Sequence, residues 1–342
     1  MSQEALEATV AEIMSPGRGI LAADESTGTI EKRFKSIGAA NTEENRRAYR
    51  EMLFTTPGME QSISGVILFE ETLGQSARDG TPFPELLARK GVVPGIKVDK
   101  GTVALSGTQG ELATQGLDGL GERLKGYRER GARFAKWRAV ITIGAGIPTT
   151  RCIDANAHAL ARYASICQDA GIVPIVEPEV LMDADNTIER CFEVTSLTLQ
   201  RVFEELFRQG VVLERSLLKP NMVVSGKKCP KQAGVQEVAE RTIACFRRVV
   251  PAAIPGIVFL SGGQSDEDAT AHLDAMNRLG PHPWQLSFSY GRALQAPALK
   301  AWGGDERKLP DGQRAFAHRA RLNGAARRGA YSRSMERELA PA

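Results

Sequence analysis

The chain has 342 residues, 44 Lys plus Arg against 41 Asp plus Glu, and 42% hydrophobic residues of which few are aromatic. These proportions describe a soluble globular protein of one large domain or two small ones and fit no disordered, collagenous or disulfide-scaffold class. A formal charge of +3 suits small anionic substrates and falls well short of the basic footprint of a nucleic-acid binder, so no nucleic-acid partner is expected.

The segment from Met1 to Arg18 lacks an apolar signal core and is not rich in Arg and Ser. Instead Ala5, Leu6, Val10, Ile13 and Met14 recur at helical spacing, which predicts an amphipathic leading helix. No segment approaches membrane-spanning length, and the expectation is a cytoplasmic protein with no membrane partner. The five cysteines, Cys152, Cys167, Cys191, Cys229 and Cys245, form no CxxC pair and read as free packing thiols.

Further along, short apolar runs rich in strand formers recur. They are Gly19 to Asp24, Ile63 to Phe69, Val93 to Val98, Phe134 to Ile141, Ile172 to Val176, Ser216 to Val223, Ile257 to Leu260 and Leu286 to Tyr290. Between them, Asp154 to Ala170, Thr187 to Gln209, Val235 to Val250 and Asp266 to Leu279 carry helical periodicity and end near Gly or Pro. Strands alternating with helices, the strands apolar through most of their length, call for a parallel sheet covered by helices. Eight such units predict an α/β fold, a closed (β/α)8 TIM barrel, as a single domain over 1–342 with a helix and tail from about 305 to 342.

A barrel of this kind places its chemistry at the carboxyl ends of the strands. Here those ends carry Asp24, Glu25 and Ser26, then Lys97 and Asp99, Lys136 and Arg138, Glu177 and Glu179, and Lys219. Residues two apart on a strand face the same side, so each of the pairs Lys97 and Asp99, Lys136 and Arg138, and Glu177 and Glu179 shares one face. Any single pair could be a structural ion-pair partner, but their convergence favours a site. The last two strands run into Ser261-Gly262-Gly263 and Tyr290-Gly291-Arg292, where glycines let backbone N–H groups approach an anion.

Lys219 is the most informative of these residues. In the apolar run Ser216-Leu217-Leu218-Lys219-Pro220-Asn221-Met222-Val223 its ammonium must either snorkel to solvent or give up its water. In the second case desolvation and a neighbouring cation favour a neutral amine, which can attack a carbonyl and form a Schiff base. The charged neighbours favour the second reading, with Lys136 as the cation.

The runs Leu21-Ala22-Ala23-Asp24-Glu25-Ser26-Thr27-Gly28, Gly95-Ile96-Lys97-Val98-Asp99-Lys100-Gly101 and Phe134-Ala135-Lys136-Trp137-Arg138, with the Lys219 segment, resemble class I fructose-bisphosphate aldolase. Ile172 to Glu179, Phe259 to Ser265 and Phe288 through Gly304 extend the likeness in order from about Arg18 to Gly304. The resemblance implies reversible aldol cleavage of fructose 1,6-bisphosphate through a lysine Schiff base, with no cofactor and no metal. It implies Lys219 as the imine-forming residue and Asp24, Lys136 and Glu177 beside the reacting carbons, with Glu179 tuning its partner carboxylate. Ser261, Gly262, Gly291 and Arg292 would hold one phosphate. Ser26, Lys32, Arg33 and Lys97 would hold the other, and Arg138 joins the substrate-binding set. A homotetramer is likewise implied.

Members of the family from animals end in a tyrosine thought to assist proton transfer, whereas this sequence ends Leu339-Ala340-Pro341-Ala342; Tyr331 is a candidate substitute. The Arg-rich stretch from Arg314 to Arg337 reads as a solvated helical face. Two rivals stand beside the imine reading. One is metal-assisted aldol chemistry, which the scattered His158, His272, His282 and His318 do not favour. The other is an inactive barrel serving as a binding or scaffolding protein, against which the set of charged strand ends argues.

Overall fold

Eight strands, β1 (Gly19–Ala23), β2 (Ile63–Leu68), β3 (Val93–Lys97), β4 (Phe134–Ile141), β5 (Val173–Val180), β6 (Leu217–Leu218), β7 (Gly256–Phe259) and β8 (Gln285–Tyr290), run parallel. They close into a barrel in the order β1-β8-β7-β6-β5-β4-β3-β2 in a computed structural model that describes residues 3–338. The terminal residues 339–342, on which the reading of the tail partly rested, lie outside the described residues.

Alternation along the strands sorts the side chains into two layers. Ile20, Ala22, Ile67, Val93, Phe134, Val173, Ile175, Leu217 and Val258 form one buried cluster with Leu6, Val10, Ile13 and Met14. This is the barrel interior, and the leading helix Gln3–Ile13 closes its amino-terminal end with the apolar face that the sequence predicts. The intervening residues, among them Leu21, Ala23, Ala135, Trp137, Val176, Leu218, Ile257 and Phe259, belong to the outer layer shared with the helices. The fully buried Phe134 ring is accommodated by Gly95 on the neighbouring strand, where a Cβ would overlap the ring carbons. Burial of such a ring contributes roughly 1.5–3 kcal/mol.

Two strands differ from their predicted lengths for clear reasons. β5 continues through Glu177, Pro178 and Glu179 to Val180, in register with Arg138 opposite Glu177 and Val140 opposite Glu179. Pro178 lacks only a donor, and its neighbours carry the ladder. β6 is much shorter than Ser216 to Val223, because Pro220 cannot donate to a neighbouring strand. Its place in the barrel wall is kept by other bonds: Lys219 N–H to Val176 O at 2.8 Å, Leu260 N–H to Pro220 O at 3.1 Å, and Val180 N–H to the Asn221 side chain at 3.0 Å.

The helices fall close to their expected places, at Thr150–Asp169, Ile188–Arg208, Val235–Val249 and Asp266–Arg278. Ser265 caps the last of these, its hydroxyl accepting the Asp268 N–H at 3.0 Å. The five cysteines are buried and free, as their spacing predicts.

The carboxyl-terminal helix Leu309–Arg327 packs on the helices Arg292–Trp302 and Asp266–Arg278. It corrects the expectation of a solvated arginine face, since Arg319 and Arg327 are buried while Arg314 and Arg328 are exposed. Arg319 pairs with Glu336 at 2.5 Å and donates to Thr270 Oγ1 at 2.6 Å. Arg327 donates to the carbonyls of Met14 and Arg18 and to Gln285 Oε1, fastening this helix to the barrel floor. Among the described residues no helix is long and apolar enough to cross a membrane.

Candidate active site

Because Leu217, Phe134, Val173, Ile175 and Ala22 face the barrel interior, the residues two or four positions further along their strands face its mouth. That places Lys219, Lys136, Glu177 and Asp24 in one group. Glu177 Oε1 lies 3.1 Å from Lys219 Nζ, and Glu177 Oε2 lies 3.2 Å from Lys136 Nζ. Lys136 Nζ in turn is 2.8 Å from Asp24 Oδ2. Lys219 is 4% exposed and Glu177 3%, so the chain Lys219, Glu177, Lys136, Asp24 is removed from bulk water. Lys219 therefore does not snorkel.

Burial alone would push the Asp24 carboxyl up, but the ammonium groups of Lys136, Lys219 and Lys97 outweigh it and hold Asp24 well below the usual carboxylate range. For Lys136 burial acts downward, and Asp24, Glu177 and Asp99 together raise it well above an ordinary lysine. Both therefore stay charged at neutral pH. The expectation that Lys136 acts directly on Lys219 needs refinement, since the Glu177 carboxylate bridges the two ammonium groups and Lys136 spends its charge on two carboxylates.

Around this group, Arg138 Nε meets Glu179 Oε2 at 2.5 Å, so the ion-pair partner of Glu179 is a guanidinium. Burial acts downward on Arg138, but the carboxylates of Glu179, Glu177 and Asp99 raise it well above the ordinary arginine value. Lys97 pairs with Asp99 at 2.7 Å, and Lys97 and Lys136 are register partners on adjacent strands.

The anion loops lie at the same end. Ser261 is buried, and Gly262 adopts φ +56°, a conformation that disfavours side chains. A Cβ on Gly262 would stand 3.8 Å from Glu179 Oε1, so this loop borders the charged group. Arg292 donates to the carbonyl of Gln264 and ties the loop after β8 to the loop after β7.

Ser26 stands at the N-cap position of the helix Thr27–Lys35, where its hydroxyl bonds no helix N–H and lies 3.2 Å from Thr29 Oγ1. Lys32 on that helix is exposed. Arg33 departs from its expected grouping with Ser26 and Lys32. Its guanidinium pairs with Glu25 at 2.5 Å and lies 3.7 Å from where a Cβ on Gly291 would stand, which groups it with the β8 loop.

Sequence reasoning left two features unassigned. Glu25 binds Arg33 on one side and Arg50 at 2.6 Å on the other, and Gln295 donates to it at 2.9 Å, so a buried scaffold sets the position of Arg33. Among the described residues the buried hydroxyl of Ser289, on the inward-facing side of β8, has no hydrogen-bond partner. The signal for it was the alternation of Ser287 and Ser289 with Leu286, Phe288 and Tyr290. Tyr331 does not join the site through its hydroxyl, which donates to Glu336 at 2.7 Å in the outer helical layer. A groove of about 1070 Å³ between Thr56–Ser62 and the helix Leu309–Arg327 contains none of the site residues. Among the described residues no cluster of His, Cys, Asp and Glu is grouped so as to hold a metal ion.

The fructose-bisphosphate aldolase class-I family matches residues 5–341. A probable fructose-bisphosphate aldolase class 1 of Xanthomonas campestris is 57% identical over 97% of this chain and 99% of its own length. The cytosolic fructose-bisphosphate aldolase 6 of Arabidopsis thaliana is also 57% identical, over 95% of this chain and 91% of its own length. Fructose-bisphosphate aldolase of Plasmodium falciparum, solved in complex with TRAP and a small-molecule inhibitor, superposes with a TM-score of 0.95 at 51% identity, covering 96% of this chain and 95% of that one. An ordered barrel, a lysine buried against a carboxylate at its mouth and full-length identity of this order leave one assignment: the chain belongs to the class I fructose-bisphosphate aldolases, a family of carbon–carbon lyases.

Proposed function

We propose that the chain cleaves fructose 1,6-bisphosphate reversibly through an imine on Lys219, and that the Lys219, Glu177, Lys136 and Asp24 group carries the chemistry. The supporting observation is the Glu177 carboxylate held between two buried ammonium groups. Lys219 sheds a proton, for which Glu177 is the acceptor in contact, and its free amine attacks the C2 ketone. Loss of water gives a protonated imine, which serves as the electron sink.

A base then removes the C4 hydroxyl proton. Glu177 is the first choice, while the ionised Asp24, a weaker base for its depressed carboxyl, orients that hydroxyl by accepting a hydrogen bond from it. The C3–C4 bond breaks, its electrons pass to the imine as an enamine, and glyceraldehyde 3-phosphate leaves. Protonation of the enamine at C3 and hydrolysis release dihydroxyacetone phosphate and restore the lysine. Lys136 supplies a fixed positive charge at the reacting atoms.

In the barrel order β7 borders β6, and β8 follows it. Ser261, Gly262, Gly291 and Arg292 are therefore assigned to the phosphate on C1, the carbon beside the imine. Arg33 is grouped with them by its approach to Gly291. Ser26 and Lys32, after β1, and Lys97, at the end of β3, are assigned to the distal phosphate, with Arg138 lining the sugar. Two anchored phosphates would hold the reacting bond over Lys219 and offset a large orientation cost.

A homotetramer in the cytoplasm completes this reading. The family supports the assembly and the cytosolic Arabidopsis relatives support the location. Sedimentation equilibrium tests the first. The central test is incubation with dihydroxyacetone phosphate and borohydride followed by peptide mapping: an adduct on Lys219 is expected, and an adduct elsewhere, or none, overturns the assignment.

A further inference from the structure

Lys227 stands apart from the buried lysines, on the segment that follows β6, and loops from three strands meet at it. Its backbone N–H donates to Met182 O at 2.7 Å and its ammonium lies 2.8 Å from Asp183 Oδ1, both on the loop after β5. Its last methylene and ammonium rest on Gly263, in the loop after β7, where a Cβ would overlap both. The segment is held in place one residue earlier, for Gly226 N–H donates to Asn186 O at 2.8 Å and has no room for a side chain against Ala184 O.

The Gly263 N–H has an unusually poor partner, the Met182 thioether at 3.2 Å. Next to it are Gly262, turned to positive φ, and Ser261, while Arg292 reaches the same loop through Gln264 O. Lys227 thus adds a flexible cation to a loop whose backbone donors are otherwise poorly occupied.

We propose that Lys227 is a further phosphate-binding residue, which leaves Asp183 to pair with the C1 phosphate when substrate enters; this rests on the imine reading given above. The exchange is favourable on physical grounds. The Lys227–Asp183 pair is 42% and 65% exposed, and pairs of that kind are worth about 0–1 kcal/mol. A phosphate dianion held by fixed N–H donors offers a stronger charge-assisted bond, and the four-carbon lysine stem can swing without moving the backbone.

The test uses the full chain with Lys227→Met, Lys227→Arg and Asp183→Asn. Each is read by the KM for fructose 1,6-bisphosphate and by the dihydroxyacetone phosphate concentration that gives half-maximal borohydride trapping on Lys219. Lys227→Met should raise both values roughly three- to tenfold and leave kcat within about twofold, and Lys227→Arg should restore most of the loss. Asp183→Asn, which frees the lysine, should leave both values unchanged or lower them. The Lys227→Met enzyme should also show a shallower dependence of KM on ionic strength. Equal weakening by Lys227→Met and Asp183→Asn would mean that the pair is only a clamp between loops and would overturn the proposal, as would an unchanged KM in Lys227→Met. Absence of trapping on Lys219 in the unmodified chain would instead remove the imine reading on which the proposal rests.

Discussion

Asp24, just past β1, and Lys136, on β4, come from strands that are not neighbours in the barrel, yet their side chains meet at 2.8 Å inside its mouth, each holding the other in its charged form. Removing the cation by Lys136→Met would leave Asp24 and Glu177 as buried carboxylates without it. The expected cost is about 3–5 kcal/mol, read as a fall in the urea midpoint. Asp24→Asn keeps the shape and removes the charge, and should lower kcat by about 10²–10⁴-fold.

The same pair sets a pH window. The depressed Asp24 contributes stability that is present above its unfolded value of 3.8 and is lost as pH falls through the lower folded value. The raised Lys136 contributes stability that is present below 10.5 and is lost as pH rises through its higher folded value. Across about pH 5–9 neither group should titrate, so denaturant titrations should show no pH dependence traceable to this pair, meaning no change when it is replaced by a neutral pair of similar size.

Glu25 sets the position of Arg33, which the proposed function assigns to a phosphate. With Arg33 at 2.5 Å and Arg50 at 2.6 Å, its carboxylate fixes where the Arg33 guanidinium lies beside Gly291. Glu25→Gln keeps a hydrogen-bond acceptor and loses the charge that orients both arginines. KM for fructose 1,6-bisphosphate should rise by about tenfold with kcat little changed, the pattern of lost uniform binding. A fall in kcat at constant KM would show that Glu25 serves the chemical step instead.

How much of this was legible in the sequence follows from the physics of each element. The barrel was visible because parallel strands covered on both sides are apolar along their length, and the grouping of Lys136, Glu177 and Lys219 followed from a period of two. Less visible were effects that depend on what lies across space. Pro220 ends the β6 ladder early, but nothing in the run Ser216 to Val223 reveals that the Asn221 side chain replaces the missing wall bond. Arg33 follows Lys32 in sequence and would be grouped with it, yet a helix turns successive residues by about 100°, and Glu25 draws Arg33 toward the β8 loop. Arg319 and Arg327 sit in a run that reads as solvated, because composition does not reveal the buried carbonyls and carboxylate that receive them.

Tyr331 offers a clean negative test. Its hydroxyl donates to Glu336, which also pairs with Arg319, and its backbone N–H donates to Asp274 at 2.8 Å. Tyr331→Phe should therefore cost about 1 kcal/mol of stability and leave turnover within about twofold. A tenfold or greater loss of turnover at unchanged stability would return this hydroxyl to the proton-transfer role considered from the sequence.

His272 hydrogen-bonds the anion loop through Gln264. Buried on the helix Asp266–Arg278, it places Nδ1 2.6 Å from Gln264 Oε1; that oxygen can only accept, so Nδ1 is the donor. Gln264 uses its amide to donate to Ser261 O at 3.1 Å, and its own carbonyl receives Arg292. Burial pushes the imidazole down from 6.5 to about 4, with Asp268 opposing. Between those values the unfolded chain binds a proton that the folded chain refuses, so stability falls as pH drops from 6.5 toward 4. The loss should reach on the order of 2 kcal/mol by pH 5. Urea midpoints of the unmodified chain at pH 7 and pH 5 should differ by that amount more than those of His272→Asn, which does not titrate in this range. Equal differences in the two proteins would mean that some other group carries the acid sensitivity.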